Sequence, residues 1–306
     1  CIRDSCYRPL EPNGCGVVTV ITLDLADLDG APASTAIIAE PGVVYASPQA
    51  LYVTDTEYTW SGAARETTDV HKFDLTGQRA EYVASGRFPG RLLNQFSLGE
   101  KDGFLRVATT TGQTWNGPQP LWSGEQQVAE NHVFVLAQQD EALQIVGRID
   151  GIAPGEELYA ARFVGDRGFL VTFVKVDPLF TVDLSDPYNP RLVGELKVPG
   201  YSDYIHLLDE NHLLTIGKEA EEVDGWVWYQ GLSLSIFDVT DFAHPVLLHR
   251  EVIGTRGTES EALHNHKAFT FHQGRLALPV DLYEGSPGGP QYGTHTFSGL
   301  YVYDVS

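Results

Sequence analysis

FTVDLSDPYNP at 180–190 and LSIFDVTDFAHP at 234–245 are two copies of one phrase, an alternating apolar run that closes on an Asp and enters a short turn ending in Pro. The phrase recurs in VITLDLADLDGAP at 20–32, VHKFDLTG at 70–77 and LYVYDVS at 300–306, so the shared residue falls at Asp24, Asp74, Asp183, Asp238 and Asp304. Alternation that stops at a turn-forming residue reads as a β-strand entering a tight hairpin. The Asp-to-Asp spacings of 50, 55 and 66 residues suit a four-stranded unit with variable loops, and the 109 residues between Asp74 and Asp183 hold two such units. The expected fold is all-β, a β-propeller of four-stranded antiparallel blades, which binds at its loop faces and channel mouth.

With strands lettered A to D from the inside of a blade outward, the clearest unit has A at 203–208, B at 212–219, C at 232–239 and D at 245–252. The whole chain parses into a Cys-containing segment at 1–15 followed by blades over 16–306: a partial blade, four full blades and a second partial blade. The first partial blade (VVTVITLDL, TAIIAE) supplies only strands C and D, and the last (HKAFTFH, RLALPV, LYVYDVS) only A, B and C. Both ends supply strand C and cannot complete one another. The open edges are expected to be covered by sequence beyond these residues or by a partner protein.

Composition agrees with a packed all-β chain. There are 31 Gly and 17 Pro to make turns, 33 aromatic residues and 42% hydrophobic residues in 306. The formal charge of −21 argues against a nucleic-acid surface and against adhesion to anionic lipid. No apolar run reaches the length of a membrane-spanning helix. The chain has no Met and opens on Cys1, and the expectation is that something upstream has been removed or is not included. Its three cysteines, Cys1, Cys6 and Cys15, all lie in the first 15 residues. A disulfide in an oxidising compartment is the first reading, with free thiols, a lipid-modified Cys1 or a metal as alternatives. The C-x4-C-x8-C spacing lacks the paired C-x2-C of zinc sites.

GRLLNQFSLGEKDGFLRVATT at 90–110, YAARFVGDRGFLVTFVKVDPLFTVDLSDPYNPRLVGELKVPGYSDYIHLL at 159–208, LSLSIFDVTD and HKAF together resemble the secreted bacterial and archaeal β-propeller-domain proteins distantly related to WD repeats. The resemblance runs from about Val43 to Ser306, and the phrases VTF-x2-VDPLF and GELKVPGYSDY carry most of it. It implies a secreted or surface-anchored propeller with further blades supplied by a longer N-terminal part. It brings no catalytic residues with it.

Chemistry is therefore read from the residues. Inner strands line a propeller's channel, so polar groups on successive A strands are expected to converge: Asn94 and Gln95, Arg162, Asp203 and His206, then His264, His266 and Lys267. Asn94, Arg162, Asp203, His206, His266 and Lys267 form the candidate ligand site; wet channels and hydrogen bonds between blades are the competing explanation. His264 and His266, alternating on a strand, would share a face, and with His206 or Glu261 could chelate a divalent cation. No cofactor is otherwise expected. The recurring Asp residues, including the run Asp24, Asp27 and Asp29, read as turn caps and do not match a calcium loop.

All five Trp residues lie in three insertions between strands B and C, at 55–67, 109–124 and 220–230. Tyr58, Trp60, Trp115, Trp122, Trp226, Trp228 and Tyr229 are expected either to form a partner surface on one face or to fold back as satellite cores. The preferred function is an extracytoplasmic binding or scaffold module, secreted, periplasmic or on the cell surface. The alternative is a propeller hydrolase or lyase acting on extracellular glycans, with acid and base drawn from Asp203, His206 and His266. No nucleophile elbow or phosphate loop is present in the sequence.

Overall fold

The computed structural model describes residues 5–9, 14–27, 29–59, 65–113, 128–173, 177–223 and 226–305, and all its extended elements are β-strands. The chain divides into two compact units, the first of Cys1–Glu156, Phe163–Asp166 and Leu184–Pro190, the second of Glu157–Arg162, Arg167–Asp183 and Arg191–Ser306. Among the described residues no helix is long and apolar enough to cross a membrane.

The first unit opens with β1 (Ser5–Tyr7), β2 (Val17–Thr22) and β3 (Ala33–Ile38), in the order β1-β3-β2. Strands β2 and β3 are the expected antiparallel C and D pair, whereas β1 pairs parallel to β3. The sequence reading missed β1, because three residues in a Cys, Pro and Asn context carry no periodicity. Next come β4 (Val44–Ala46), β5 (Ala50–Thr59), β6 (Arg65–Asp74) and β7 (Glu81–Pro89), then β8 (Leu98–Lys101), β9 (Phe104–Thr111), β10 (Glu130–Gln139) and β11 (Ala142–Ile152). These are two A-to-D meanders whose outer strands β7 and β11 touch in parallel, Ser85 beside Ala142 and Gly86 beside Leu143. Tyr52, Val70, Phe88, Leu105, Val107 and Phe134 fill the core of this sheet.

A third meander follows in β12 (Glu157–Val164), β13 (Arg167–Phe173), β14 (Asp177–Asp183) and β15 (Arg191–Val198). The fourth is β16 (Tyr201–Leu207), β17 (His212–Val223), β18 (Trp226–Asp238) and β19 (Val246–Ile253). The last sheet holds β20 (Thr270–His272), β21 (Arg275–Glu284) and β22 (Thr294–Asp304), the expected A, B and C. Within the second unit, Phe169, Leu179, Ile205, Leu213 and Phe237 pack as one core, while Leu214, Ile216, Leu234, Leu276 and Leu278 pack as another. Leu213 and Leu214 are consecutive, so β17 is buried on both faces. That is why its sequence reads as the continuous run HLLTIG.

Three copies of the repeated Asp act as turn caps. Strands β6, β14, β18 and β22 end on Asp74, Asp183, Asp238 and Asp304, while β2 stops two residues short of Asp24. Oδ1 of Asp24, Asp74 and Asp238 accepts the backbone N–H two residues on, from Ala26, Thr76 and Thr240, at 2.9, 2.7 and 2.8 Å. The hydroxyl and N–H of Thr76 and of Thr240 hold the Asp74 and Asp238 carboxyls below the usual carboxylate range. Among the described residues no group of three His, Cys, Asp or Glu side chains is placed to hold a metal ion. Cys6 and Cys15 are exposed and not bonded to each other, and Cys1 lies outside the described residues.

Strand β16 departs from regular pairing with β17: Ser202 faces Gly217 and Tyr204 faces Ile216, which leaves Asp203 as the extra residue of a β-bulge. Gly217 makes this approach possible, since a Cβ there would overlap the Tyr201 carbonyl oxygen and the Ser202 Cα. Gly217→Ala is expected to destabilise the chain by ~2 kcal/mol in urea unfolding. Gly77→Ala, with nothing nearer its Cβ than the Arg79 carbonyl at 3.7 Å, is expected to stay within ~0.5 kcal/mol of wild type.

Candidate functional site

The bulge takes Asp203 out of the alternation of its strand and sets it near Lys218 and Glu259 in the second unit. Its Oδ2 is buried and has no hydrogen-bond partner. Burial pushes the Asp203 carboxyl up to about 7, the Lys218 ammonium opposes the shift and Glu259 adds to it. Lys218 lies on β17, 5% exposed. Its Nζ donates to the Thr258 carbonyl and, at 2.7 Å, to Glu259 Oε1. The cation is thus committed to Glu259 and the loop after β19, and Asp203 is left as a carboxyl close to half protonation at neutral pH.

Aromatic rings enclose the same place. Tyr201 is 4.8 Å from Tyr159, 5.1 Å from Phe173 and 5.0 Å from Tyr229 between ring centroids. The hydroxyls of Tyr159 and Tyr229 are hydrogen-bonded. Burial, with the Asp203 charge as the next cause, raises the Tyr201 phenol far above its ordinary range. The Tyr159 and Tyr201 hydroxyls, both raised by burial, are therefore neutral hydrogen-bonding groups throughout the physiological range. Tyr229 sits on β18 in a hairpin that runs beyond the blade, pairing Ala220 with Tyr229, Glu221 with Trp228 and Val223 with Trp226. The insertion expected at 220–230 is this β-ribbon. Arg256, from the loop after β19, ties the ribbon down: its Nη1 donates to the Tyr229 carbonyl, and its guanidinium lies 5.0 Å from the Trp228 ring and 4.6 Å from the Tyr292 ring.

The candidate ligand residues do not form one cluster. Asp203 meets Tyr201, Lys218 and Glu259. His206 lies on the other side of the bulge with Tyr204, 5.3 and 5.0 Å from the rings of Phe269 and Phe271, and Tyr204 is 6.4 Å from His266. Arg162 acts electrostatically on both Tyr204 and His206, and burial followed by this charge lowers the His206 pKa. Arg162, His206 and His266 are thus brought together around Tyr204, half-buried among aromatic rings. His264, His266 and Lys267 are not on a strand as expected: two 3-10 turns, Glu261–Leu263 and His266–Ala268, replace it. Ser260 and Asn265 cap these turns by accepting from the N–H of Ala262 and Lys267. His264 and Lys267 are exposed. Asn94 is likewise off its expected strand and caps the 3-10 turn Gln95–Ser97 by accepting from the Phe96 N–H. It belongs to the first unit.

Of the partner-surface residues, Trp226 is 62% exposed at the ribbon tip, Tyr229 is partly exposed and Trp228 is half-buried against Arg256. Tyr58 is exposed on β5 of the first unit. Trp60, Trp115 and Trp122 lie outside the described residues. Sequence reasoning missed Tyr159, Tyr201, Lys218, Arg256 and Glu259. A lysine inside the apolar run LLTIGKE was the one available signal, since a buried lysine requires a carboxylate.

The native state holds the Asp203 proton more tightly than an unfolded chain, in which an Asp titrates near 3.9. This group's contribution to stability is therefore complete below pH ~4 and is lost as pH rises through about 7. Asp203→Asn is expected to flatten that part of the stability profile and to be ~3 kcal/mol more stable relative to wild type at pH 8 than at pH 4, measured by urea unfolding.

The beta propeller domain family model matches residues 2–306, which extends the resemblance noted above through the cysteine-bearing N-terminus. An uncharacterised protein of Archaeoglobus fulgidus is 43% identical over 204 residues, 67% of this chain and 28% of the relative. One of Methanocaldococcus jannaschii is 39% identical over 180 residues, 59% of this chain and 25% of the relative. The chain thus spans about a quarter of the length of each of these curated relatives. With repeated four-stranded meanders and a family match over nearly its whole length, the chain belongs to the beta propeller domain family.

Proposed function

We propose that this chain is an extracytoplasmic binding module that engages its ligand through the ribbon and tyrosine cluster of its second unit. The observation that carries this reading is Trp226, an indole 62% exposed at the tip of a ribbon held in place by Arg256. Large aromatic side chains in water without a packing role are a common basis of recognition. Beneath the ribbon the Tyr159, Tyr201 and Tyr229 hydroxyls and the unpartnered Asp203 oxygen offer hydrogen bonds to a ligand that reaches inward. The extracytoplasmic location is supported by the acidic composition and the clustered cysteines. The open edge of β22, with Leu300 and Val302 61% and 59% exposed, supports a partner strand from a longer polypeptide or another protein.

A second reading, hydrolysis of extracellular glycans, is favoured by one observation: a carboxyl poised near neutrality, Asp203, beside the ion-paired carboxylate Glu259. Glu259 takes the base role for which His206 and His266 were candidates, because both imidazoles sit with Tyr204.

Oligosaccharide and peptide arrays probed with wild type and Trp226→Ala separate these readings. Binding to one class of probe should fall about tenfold or more in the variant, with an unchanged melting temperature. Retention of all binding by Trp226→Ala contradicts the proposed surface. Cleavage of an oligosaccharide that is lost in Asp203→Asn would instead favour the hydrolase. For the location, non-reducing mass spectrometry of the protein from its natural source should show Cys1 bonded to Cys6, to Cys15 or to a further segment, and three alkylatable thiols would contradict an oxidising compartment.

A further inference from the structure

A second group of polar side chains, wholly within the first unit, plays no part in the site above. Strands β6 and β7 are antiparallel neighbours, with Asp69 opposite Arg87 and His71 opposite Ser85. Residues two apart on a strand share a face, so β6 presents Asp69 and His71 beside the Arg87 and Ser85 of β7. With Gly86, Ala142 and Leu143 they line a cavity of about 230 Å³. Strand β11 reaches this place because residue 86 is glycine, where a Cβ would overlap the Leu143 carbonyl oxygen.

Each lining group has a defined chemistry. Arg87 Nε and Nη2 donate to Asp69 Oδ1 and Oδ2 at 2.6 and 3.0 Å, which fixes a cation and an anion side by side. His71 is 3% exposed, and its buried Nδ1 has no hydrogen-bond partner. An unpartnered buried nitrogen is an exception that asks for a partner. Burial lowers the His71 pKa against the opposing pull of Asp69, so the imidazole is neutral at pH 7. With the proton on Nε2, Nδ1 is an acceptor. Ala142 and Leu143 supply an apolar wall.

We propose that this cavity binds a zwitterion, an α-amino acid with a small or branched uncharged side chain. Its ammonium is received over β6 by Asp69 and His71 Nδ1, its carboxylate over β7 by Arg87, and its side chain by Ala142 and Leu143. Neighbouring strands lie about 5 Å apart, which suits the two charged ends of one amino acid. A simple anion would meet the charge of Asp69, and a simple cation that of Arg87. A ligand with both charges meets one group of each sign, one on each strand.

The test is titration calorimetry of the chain with glycine, L-alanine, L-valine, L-leucine and L-serine, and with the valine analogues isobutylamine and 3-methylbutanoate, which lack the carboxylate and the ammonium. At least one amino acid is expected to bind with a Kd of about 1 mM or tighter, and both analogues about tenfold or more weaker than L-valine. Ala142→Trp, at a half-buried position on the cavity rim, should fill the space and abolish binding while the circular dichroism spectrum is retained. Arg87→Gln should weaken binding about tenfold; because it also leaves Asp69 buried without its cation, the analogue comparison on wild type decides if that variant does not fold. The proposal is overturned if no amino acid of the panel binds at about 10 mM, if isobutylamine or 3-methylbutanoate binds as tightly as L-valine, or if folded Ala142→Trp binds as wild type does.

Discussion

Burial of strand β17 on both faces is the constraint on which the second unit depends. Leu213 enters one core with Phe169, Ile205 and Phe237, and the adjacent Leu214 enters another with Leu234, Leu276 and Leu278. Each such leucine contributes about 2–5 kcal/mol relative to alanine, and a one-residue slip would exchange the two sets of side chains between cores. The register of the whole sheet is thereby fixed. Inner strand β16 must comply with it, which places His206 among Phe269, Phe271 and Tyr204 instead of in open solvent. A polar residue escapes this order only where the pairing is broken, and the bulge at Asp203 opposite Gly217 is that break.

Charge is distributed in an equally directed way. The chain carries 41 acidic and 20 basic residues, yet several of its few cations are withdrawn from the surface. Lys218 and Arg106 are 5% and 4% exposed, and Arg87 and Arg91 each hold a buried carboxylate, Asp69 and Glu66. Lys218, Arg87 and Arg91 thus tie neighbouring segments together through carboxylates, while others such as Arg148, Lys197 and Arg275 stay exposed. Breaking such a buried pair leaves a charge without its partner, which costs more than the intact pair contributes. This links both candidate sites to the fold: the Lys218 pairing with Glu259 is what leaves Asp203 only partly compensated, and the Arg87 pairing with Asp69 is what sets two opposite charges beside His71.

Much of the fold was legible because period-2 alternation and an Asp-capped turn are local signals. Four of the five Asp residues end the strands they were expected to end, and Asp24 caps its turn by the same bond. The partial sheets at the two ends were also foreseen from strand counting, apart from β1. The site was less legible. HNHKAF has the look of a strand, but Ser260 and Asn265 each offer a local side-chain acceptor that favours a 3-10 turn. Asn94 acts in the same way before β8. The bulge at Asp203 depends on a glycine fourteen residues away, which alternation within one strand cannot reveal. Tyr159, Tyr201, Lys218, Tyr229 and Glu259 come from five different segments, on two sheets and the loop after β19, and only the packing of the folded chain brings them together.

The claim on which the account turns is that Asp203 is a buried carboxyl whose desolvation Lys218 offsets only in part. Carbon-13 NMR of the chain labelled at aspartate carboxyls, titrated from acid to alkaline pH and assigned by difference against Asp203→Asn, reads that directly. The account predicts one carboxyl titrating near the expected value of about 7 in wild type and absent from the variant. A titration of Asp203 near 4, that of an ordinary solvated aspartate, would contradict it.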